Sequence, residues 1–219
     1  MHHFENVGIY DGLFVMQDTE SKTLWNHISG EAMYGPHVGK TLGPIGNLLQ
    51  LDVQEALAVD PGMEVAISDR PYAGRSSVPG QGTLSADAEL IGMFIETLGE
   101  EDNRRPRMDM GLGVWTDASR RYYPMEEIRA RGALIDRLDD RDIVVFIEAR
   151  SATPTAIFVD SDSATIEGNE IRLDSGAVIR AGVLFDAQGN RQAREQPQQI
   201  FTRWYGYILT FPGAEVFGQ

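Results

Sequence analysis

The chain has no cysteine. Disulfides, thiolate metal sites and a catalytic thiol are therefore excluded within these 219 residues. Lysine is scarce too: Lys22 and Lys40 are the only two, against seventeen arginines. That skew fits a GC-rich genome or salty surroundings and points to no activity. Positive charge is in deficit overall. Nineteen Lys and Arg face 33 Asp and Glu, a net charge of −14, which argues against non-specific binding to nucleic acid or to anionic membranes. No apolar run approaches the ~18 residues of a membrane span; the longest, such as residues 143–147, are strand-sized. The stretch Met1-His2-His3-Phe4-Glu5-Asn6 has neither the basic nor the apolar region of a signal peptide, so the expectation is a cytoplasmic protein.

What is present is a globular composition: 42% hydrophobic residues, with nine Phe, seven Tyr and three Trp. Turn residues divide it into short β segments. Residues 7–10 and 13–16 flank Asp11-Gly12, a pair suited to a type I′ hairpin because both central residues take positive φ. Residues 111–116 and 120–123 flank Asp117-Ala118-Ser119, and residues 165–167 and 170–172 flank Gly168-Asn169, which predicts two more hairpins. The frequent glycines of 25–39 predict turns joining short strands. Further strands are expected at 143–148, 156–159 and 183–185.

The helices read as short. Apolar spacing predicts one over 52–59, closed by Pro61-Gly62 and followed by a strand at 64–67. A second follows Pro124 over 125–131, with Glu126 and Glu127 near its positive end. A third is expected over 199–211, where Ile200, Phe201, Trp204, Tyr205, Ile208 and Leu209 fall on one helical face, with a strand at 215–217 after it. Residues 90–98 fit helix or strand. The fold class is mainly β with short helices, a β-rich α+β.

Pro61-Gly62-Met63-Glu64-Val65 returns as Pro212-Gly213-Ala214-Glu215-Val216, 151 residues later. The match predicts an internal duplication: two related β units, each closed by a helix and a last strand. The boundaries expected are 1–69 for the first unit, 70–107 for a linker-like segment rich in Gly, Ser, Pro and polar residues, and 108–219 for the second. The second unit has lead-in strands that the first lacks, so the first reads either as borrowing strands from the second or as truncated at its N-terminus. Such a unit would leave the hairpin of 7–16 at an open sheet edge, and a homodimer through that edge is the expected association.

Several stretches resemble a known family. They are Phe14-Val15-Met16-Gln17-Asp18-Thr19-Glu20-Ser21-Lys22-Thr23-Leu24-Trp25, then Gly30-Glu31-Ala32, then Gly35-Pro36-His37-Val38-Gly39. With Tyr122-Tyr123-Pro124-Met125 before a helix, and a helix ending Pro-x-x-Glu-Val, they resemble the prokaryotic domain-of-unknown-function family numbered 3179. The resemblance touches most of the chain and supplies no function. Many members carry a Cys-Pro-x-Cys-like motif upstream of the first hairpin, and some carry selenocysteine there. The resemblance thus implies one alternative, a redox or metal-linked enzyme whose thiol or selenol lies upstream of Met1. In the second unit the corresponding place falls at 148–155, where Ala149-Arg150-Ser151-Ala152-Thr153 offers no thiol.

Candidate sites are few. His2, His3, His27 and His37 are the only histidines and lie within 37 residues, so they are the candidate metal ligands, although their spacing matches no standard zinc motif. The expectation is weak metal binding at most. Trp25, His27, Glu31 and His37 are the candidates for a small-molecule pocket, with Glu31 and His37 as orienting or proton-transferring groups. The competing reading makes Trp25 a core residue that seals the hairpin. Gly111-Leu112-Gly113-Val114-Trp115 is no dinucleotide fingerprint, since the third glycine and a βαβ unit are missing. Seven arginines at 104–131 form the one locally basic stretch, an anion site or a set of partners for nearby acids. The leading functional expectation is an accessory or ligand-binding β domain, with ligand and cofactor unspecified.

Overall fold

The computed structural model describes residues 3–43, 46–64, 66, 67, 69 and 89–219. Its elements in chain order are β1 (Phe4–Tyr10), β2 (Leu13–Asp18), β3 (Leu24–Asn26), β4 (Ala32–Tyr34), α1 (Val53–Val59), α2 (Gly92–Ile95), β5 (Met110–Trp115), β6 (Arg120–Pro124), α3 (Met125–Arg131), β7 (Ala133–Leu138), β8 (Arg141–Ile147), β9 (Pro154–Val159), β10 (Ala164–Glu167), β11 (Glu170–Leu173), β12 (Val178–Arg180), β13 (Val183–Phe185), β14 (Gln198–Arg203), α4 (Trp204–Thr210) and β15 (Glu215–Val216). The chain is mainly β with short helices. No helix among the described residues is long and apolar enough to cross a membrane.

Contacts divide the chain into two compact units that interleave in sequence. One takes the described residues of 1–48, 86–124 and 198–219; the other takes those of 49–85 and 125–197. These units differ from the sequential boundaries at 69 and 107: the described residues of 49–69 group with 125–197, and those of 1–48 with 86–124 and 198–219. Of the linker-like segment, 70–88 lie outside the described residues. Its remainder contains α2 and ion pairs from Arg104 to Asp102 and from Arg107 to Glu101.

The first unit holds two four-stranded sheets, ordered β1-β2-β3-β4 and β14-β5-β6-β15. Asp11 and Gly12 join β1 to β2 with φ of 50° and 68°, both in the left-handed region that a type I′ turn demands. The turn is held from outside: the Asp11 N–H donates to the Thr97 carbonyl and the Gly99 N–H to the Asp11 carboxylate. β1 ends its sheet, with Val7 and Tyr10 exposed along it. In the second sheet, Gly113 stands where a Cβ would lie 2.1 Å from Cδ2 of Tyr207. The Gly111-x-Gly113 pattern therefore makes room for rings. Tyr122, Trp204, Tyr207 and Phe211 pack there as a core, and the Tyr207 hydroxyl donates to the Val114 carbonyl at 2.6 Å.

The helix expected over 199–211 is a correction: 198–203 are strand, and only 204–210 are helix. Ile200 and Phe201 pair with Gly113 and Leu112 of β5. Ladder hydrogen bonds on β5 outweigh the local helical spacing; in the second half of the pattern Trp204 and Ile208 pack inward beside Tyr207, which the pattern leaves out, while Tyr205 and Leu209 are half-buried. The two Pro-Gly exits also differ in surroundings. α4 lies between β14 and β15, and β15 pairs in parallel with β6. α1 belongs to the other unit, and no strand is assigned among the described residues of 61–69.

The second unit holds the antiparallel sheet β7-β8-β9 and the meander β10-β11-β12-β13. Val144, Phe146 and Ile157 from the first, with Leu173 and Ile179 from the second, share one buried cluster. Gly168, at φ 63°, turns β10 into β11 as its position in the Gly168-Asn169 hairpin predicts. α1 starts with a capping box. Asp52 accepts from the Glu55 N–H at 2.8 Å, and Glu55 reaches back to the Asp52 N–H.

Candidate functional site

The residues singled out in the first unit come together only in pairs. Trp25 is buried at 5% exposure, with its Nε1 lacking a hydrogen-bond partner, and its ring centroid lies 6.2 Å from that of His37. His27 is exposed and its Nδ1 donates to the Phe14 carbonyl at 2.8 Å. His27 and Glu31 line a cleft of about 360 Å³ with Leu13, Phe14, Met33 and Leu209; Trp25 and His37 are not in that lining. His3 pairs with Glu20 at 2.7 Å, and His2 lies outside the described residues. Among the described residues no three His, Asp or Glu side chains are placed to hold a metal ion. The Asp18-to-Trp25 stretch is a built turn: Asp18 is buried, and it accepts from the Ser21 hydroxyl at 2.8 Å and the Glu20 N–H at 3.0 Å. In the arginine-rich stretch, Arg104, Arg105, Arg107, Arg121 and Arg131 all pair with carboxylates.

The second unit concentrates more chemistry. Glu148 follows directly on the apolar run of β8, and Arg194 donates to its Oε1 at 2.8 Å, with side chains only 1% and 7% exposed. Burial raises the Glu148 carboxyl above its ordinary range, Arg194 pulls it down, and Glu55 pushes it up again. Glu148 Oε2 and Arg194 Nε are both buried without a partner. Next to this pair the chain turns at 149–153, with Ala152 at φ 56°. The N–H groups of Arg150 and Ser151 point together there, an anion-binding nest. The nest is already filled: Glu55 of α1 accepts from them at 2.6 Å and 3.0 Å. The place that the resemblance pairs with a thiol motif is thus closed by the chain's own carboxylate.

A cleft of about 730 Å³ opens elsewhere in the same unit, along β8, β9 and the segment after β13. Its lining carries the carboxylates Asp140, Asp142, Asp160, Asp186 and Glu195 against Arg137 and Arg141. The Phe158 ring forms an apolar face, and the Arg141 guanidinium stands 3.6 Å from its centroid. Glu195 holds that guanidinium at its edge, accepting from Nη1 at 2.5 Å and from Nη2 at 2.7 Å. Arg141 in turn keeps Glu195 below the usual carboxylate range, and the backbone N–H of Asn190 does the same for Asp186. Both stay ionised at neutral pH, so the cleft is acidic and already cradles one cation.

The sequence model of a family described as "Protein of unknown function (DUF3179)" matches residues 4–217. The chain belongs to this family. No curated protein and no solved structure matches it. The DUF3179 match spans the residues of both compact units. Of the pocket residues expected from the sequence, His27 and Glu31 line the cleft of the first unit and Trp25 and His37 do not; Glu148, Arg194, Phe158 and Glu195 are not among the residues the sequence points to. The one available signal was a glutamate directly after five apolar residues of a strand, a position where an unpaired charge is costly.

Proposed function

We propose that this DUF3179 chain is a ligand-binding β domain and that the acidic cleft of its second unit takes a small organic cation. The observation that carries the reading is the cradle of Phe158 and Glu195 around the Arg141 guanidinium. An aromatic face beside a bidentate carboxylate is an arrangement that holds an ammonium or guanidinium. The surrounding carboxylates outnumber the arginines by five to two, which favours a second cation and repels anions. A ligand guanidinium would compete with Arg141 or stack beside it. Agmatine, which carries a guanidinium and a primary amine, is the probe, and succinate is the control of opposite charge. Calorimetry should show saturable agmatine binding that Glu195→Gln and Phe158→Ala weaken, and no heat from succinate. Equal binding of the two would overturn the reading. Among the described residues β1 is the end strand of its sheet, and its exposed Val7 and Tyr10 support association of two copies through that strand.

A further inference from the structure

The cleft of about 360 Å³ in the first unit has mostly apolar walls, Leu13, Phe14, Met33 and Leu209 among them, and no lysine or arginine in its lining. The walls are held from behind. Leu13 and Leu209 pack against the core of Trp204 and Tyr207, and the Phe14 ring meets Phe94 edge-on at 5.4 Å. Two polar side chains of the lining are fixed without being used up. His27 Nδ1 bonds to the Phe14 carbonyl at 2.8 Å. A carbonyl only accepts, so Nδ1 carries the proton, and Nε2 is the acceptor of the neutral ring. His27 is exposed, and its Nε2 has no partner among the described residues. Asn26 is set in the same turn. Its Oδ1 accepts from the Ile28 N–H at 2.8 Å and the Ser29 N–H at 3.1 Å. Those two donors settle the orientation of the amide and leave Nδ2 as a donor without a partner among the described residues. The turn is closed by the Gly30 N–H on the Asn26 carbonyl and the Asn26 N–H on the Glu31 carbonyl, both at 2.9 Å.

We propose that this cleft binds a small aromatic molecule carrying one hydroxyl, a phenol in the simplest case. A hydroxyl both donates and accepts. It gives its hydrogen bond to His27 Nε2 and takes one from Asn26 Nδ2. An ammonium only donates and leaves Nδ2 unmet. A carboxylate only accepts, leaves Nε2 unmet, and faces Asp11 and Glu31 in the same lining. The ring lies against Leu13, Phe14 and Leu209, with the Met33 thioether as a sulfur–aromatic contact. The volume is near the lower end of the ~300–1,000 Å³ of ligand pockets, which suits one substituted ring. The acceptor and donor are held before the ligand arrives, so little ordering accompanies binding. The site lies within the first unit and stands or falls without the acidic cleft.

The test is titration of the full chain with p-cresol, followed by calorimetry and chemical-shift mapping at pH 8, above the usual imidazole range. The controls are p-methylanisole, in which a methyl replaces the hydroxyl proton, and p-toluate. Saturable p-cresol binding is expected, with shifts at Phe14, His27 and Met33 and a displaced His27 Nε2 nitrogen resonance. p-Methylanisole should bind about tenfold more weakly, the effect of one lost hydrogen bond, and p-toluate should be inert. His27→Phe keeps a ring but removes the acceptor, and should weaken p-cresol by a similar factor. Met33→Asp, at an exposed position of β4, should abolish binding by placing a charge against the ligand ring. Circular dichroism checks that both variants fold, and the comparison of p-cresol with p-methylanisole needs no variant. The proposal is overturned by an absence of saturation below about 10 mM p-cresol, by equal binding of p-methylanisole or p-toluate, by an unchanged affinity in either folded variant, by a stationary Nε2 resonance, or by shifts confined to residues outside this cleft, such as Phe158.

Discussion

Replacing Arg194 with methionine isolates what the buried ion pair contributes. The methionine keeps the length of the stem but strands Glu148, whose side chain is 1% exposed. Breaking a buried pair from one side costs roughly 3–5 kcal/mol, because the remaining charge has no compensation. The wild-type carboxyl is already raised from its ordinary value of 4.5 by burial, against the pull of Arg194. Folding therefore binds the Glu148 proton more tightly than the unfolded chain does. Stability from this group is full below pH 4.5 and declines as pH rises through the folded value. Without Arg194 the folded value climbs further, and the decline extends over a wider range. Arg194→Met should accordingly cost little at pH 4 and the full amount at pH 8. Glu148→Gln should remove the pH slope. In the double variant Glu148→Gln/Arg194→Met the loss should fall short of the summed single losses by about 1–3 kcal/mol. Urea unfolding at both pH values reads all of this. A cost under about 1 kcal/mol at pH 8, or the same cost at pH 4 and pH 8, refutes the reasoning.

Two further outcomes test the first unit. Gly113→Ala puts a Cβ 2.1 Å from the buried Tyr207 ring, so urea unfolding should show a loss of about 1–3 kcal/mol or more, while Gly8→Ala, where nothing lies within 4 Å of the added Cβ and φ is not positive, should lose less. If two copies pair through β1, sedimentation velocity should show a concentration-dependent dimer that Val7→Lys dissociates; a wild type that stays monomeric at high concentration counts against that edge.

Local chemistry made much of the secondary structure legible. Asp11-Gly12 names its own turn, because both residues tolerate the left-handed region they occupy. Asp52 and Glu55 form a capping box that marks the start of α1 before any tertiary contact is considered. The runs at 143–147 and 183–185 became strands, and Val144, Phe146 and Leu184 from them face a shared core. Legibility failed where distant partners decide. Residues 198–203 carry a helical pattern, yet they pair with a strand 88 positions earlier, Gln198 opposite Trp115 at one end and Arg203 opposite Met110 at the other. Strand spacing says nothing about which distant edge is open. The same limit hid the candidate sites. Glu148 and Arg194 are 46 residues apart, and only the fold places Arg194 beside the end of β8. Arg141, Phe158 and Glu195 come from three separate segments. The four histidines, by contrast, cluster in sequence, but His3, His27 and His37 take partners of different kinds: a carboxylate, a carbonyl and an indole.

The measurement that bears most directly on a ligand-binding role is chemical-shift mapping of an agmatine titration on the isotope-labelled chain. The account predicts fast, saturable shifts at Arg141, Asp142, Phe158, Asp160 and Glu195, which surround the acidic cleft. Shifts confined instead to His27, Glu31 and Met33 would move the binding site to the cleft of the first unit, and no shifts in either place would contradict the assignment of the acidic cleft as a cation site.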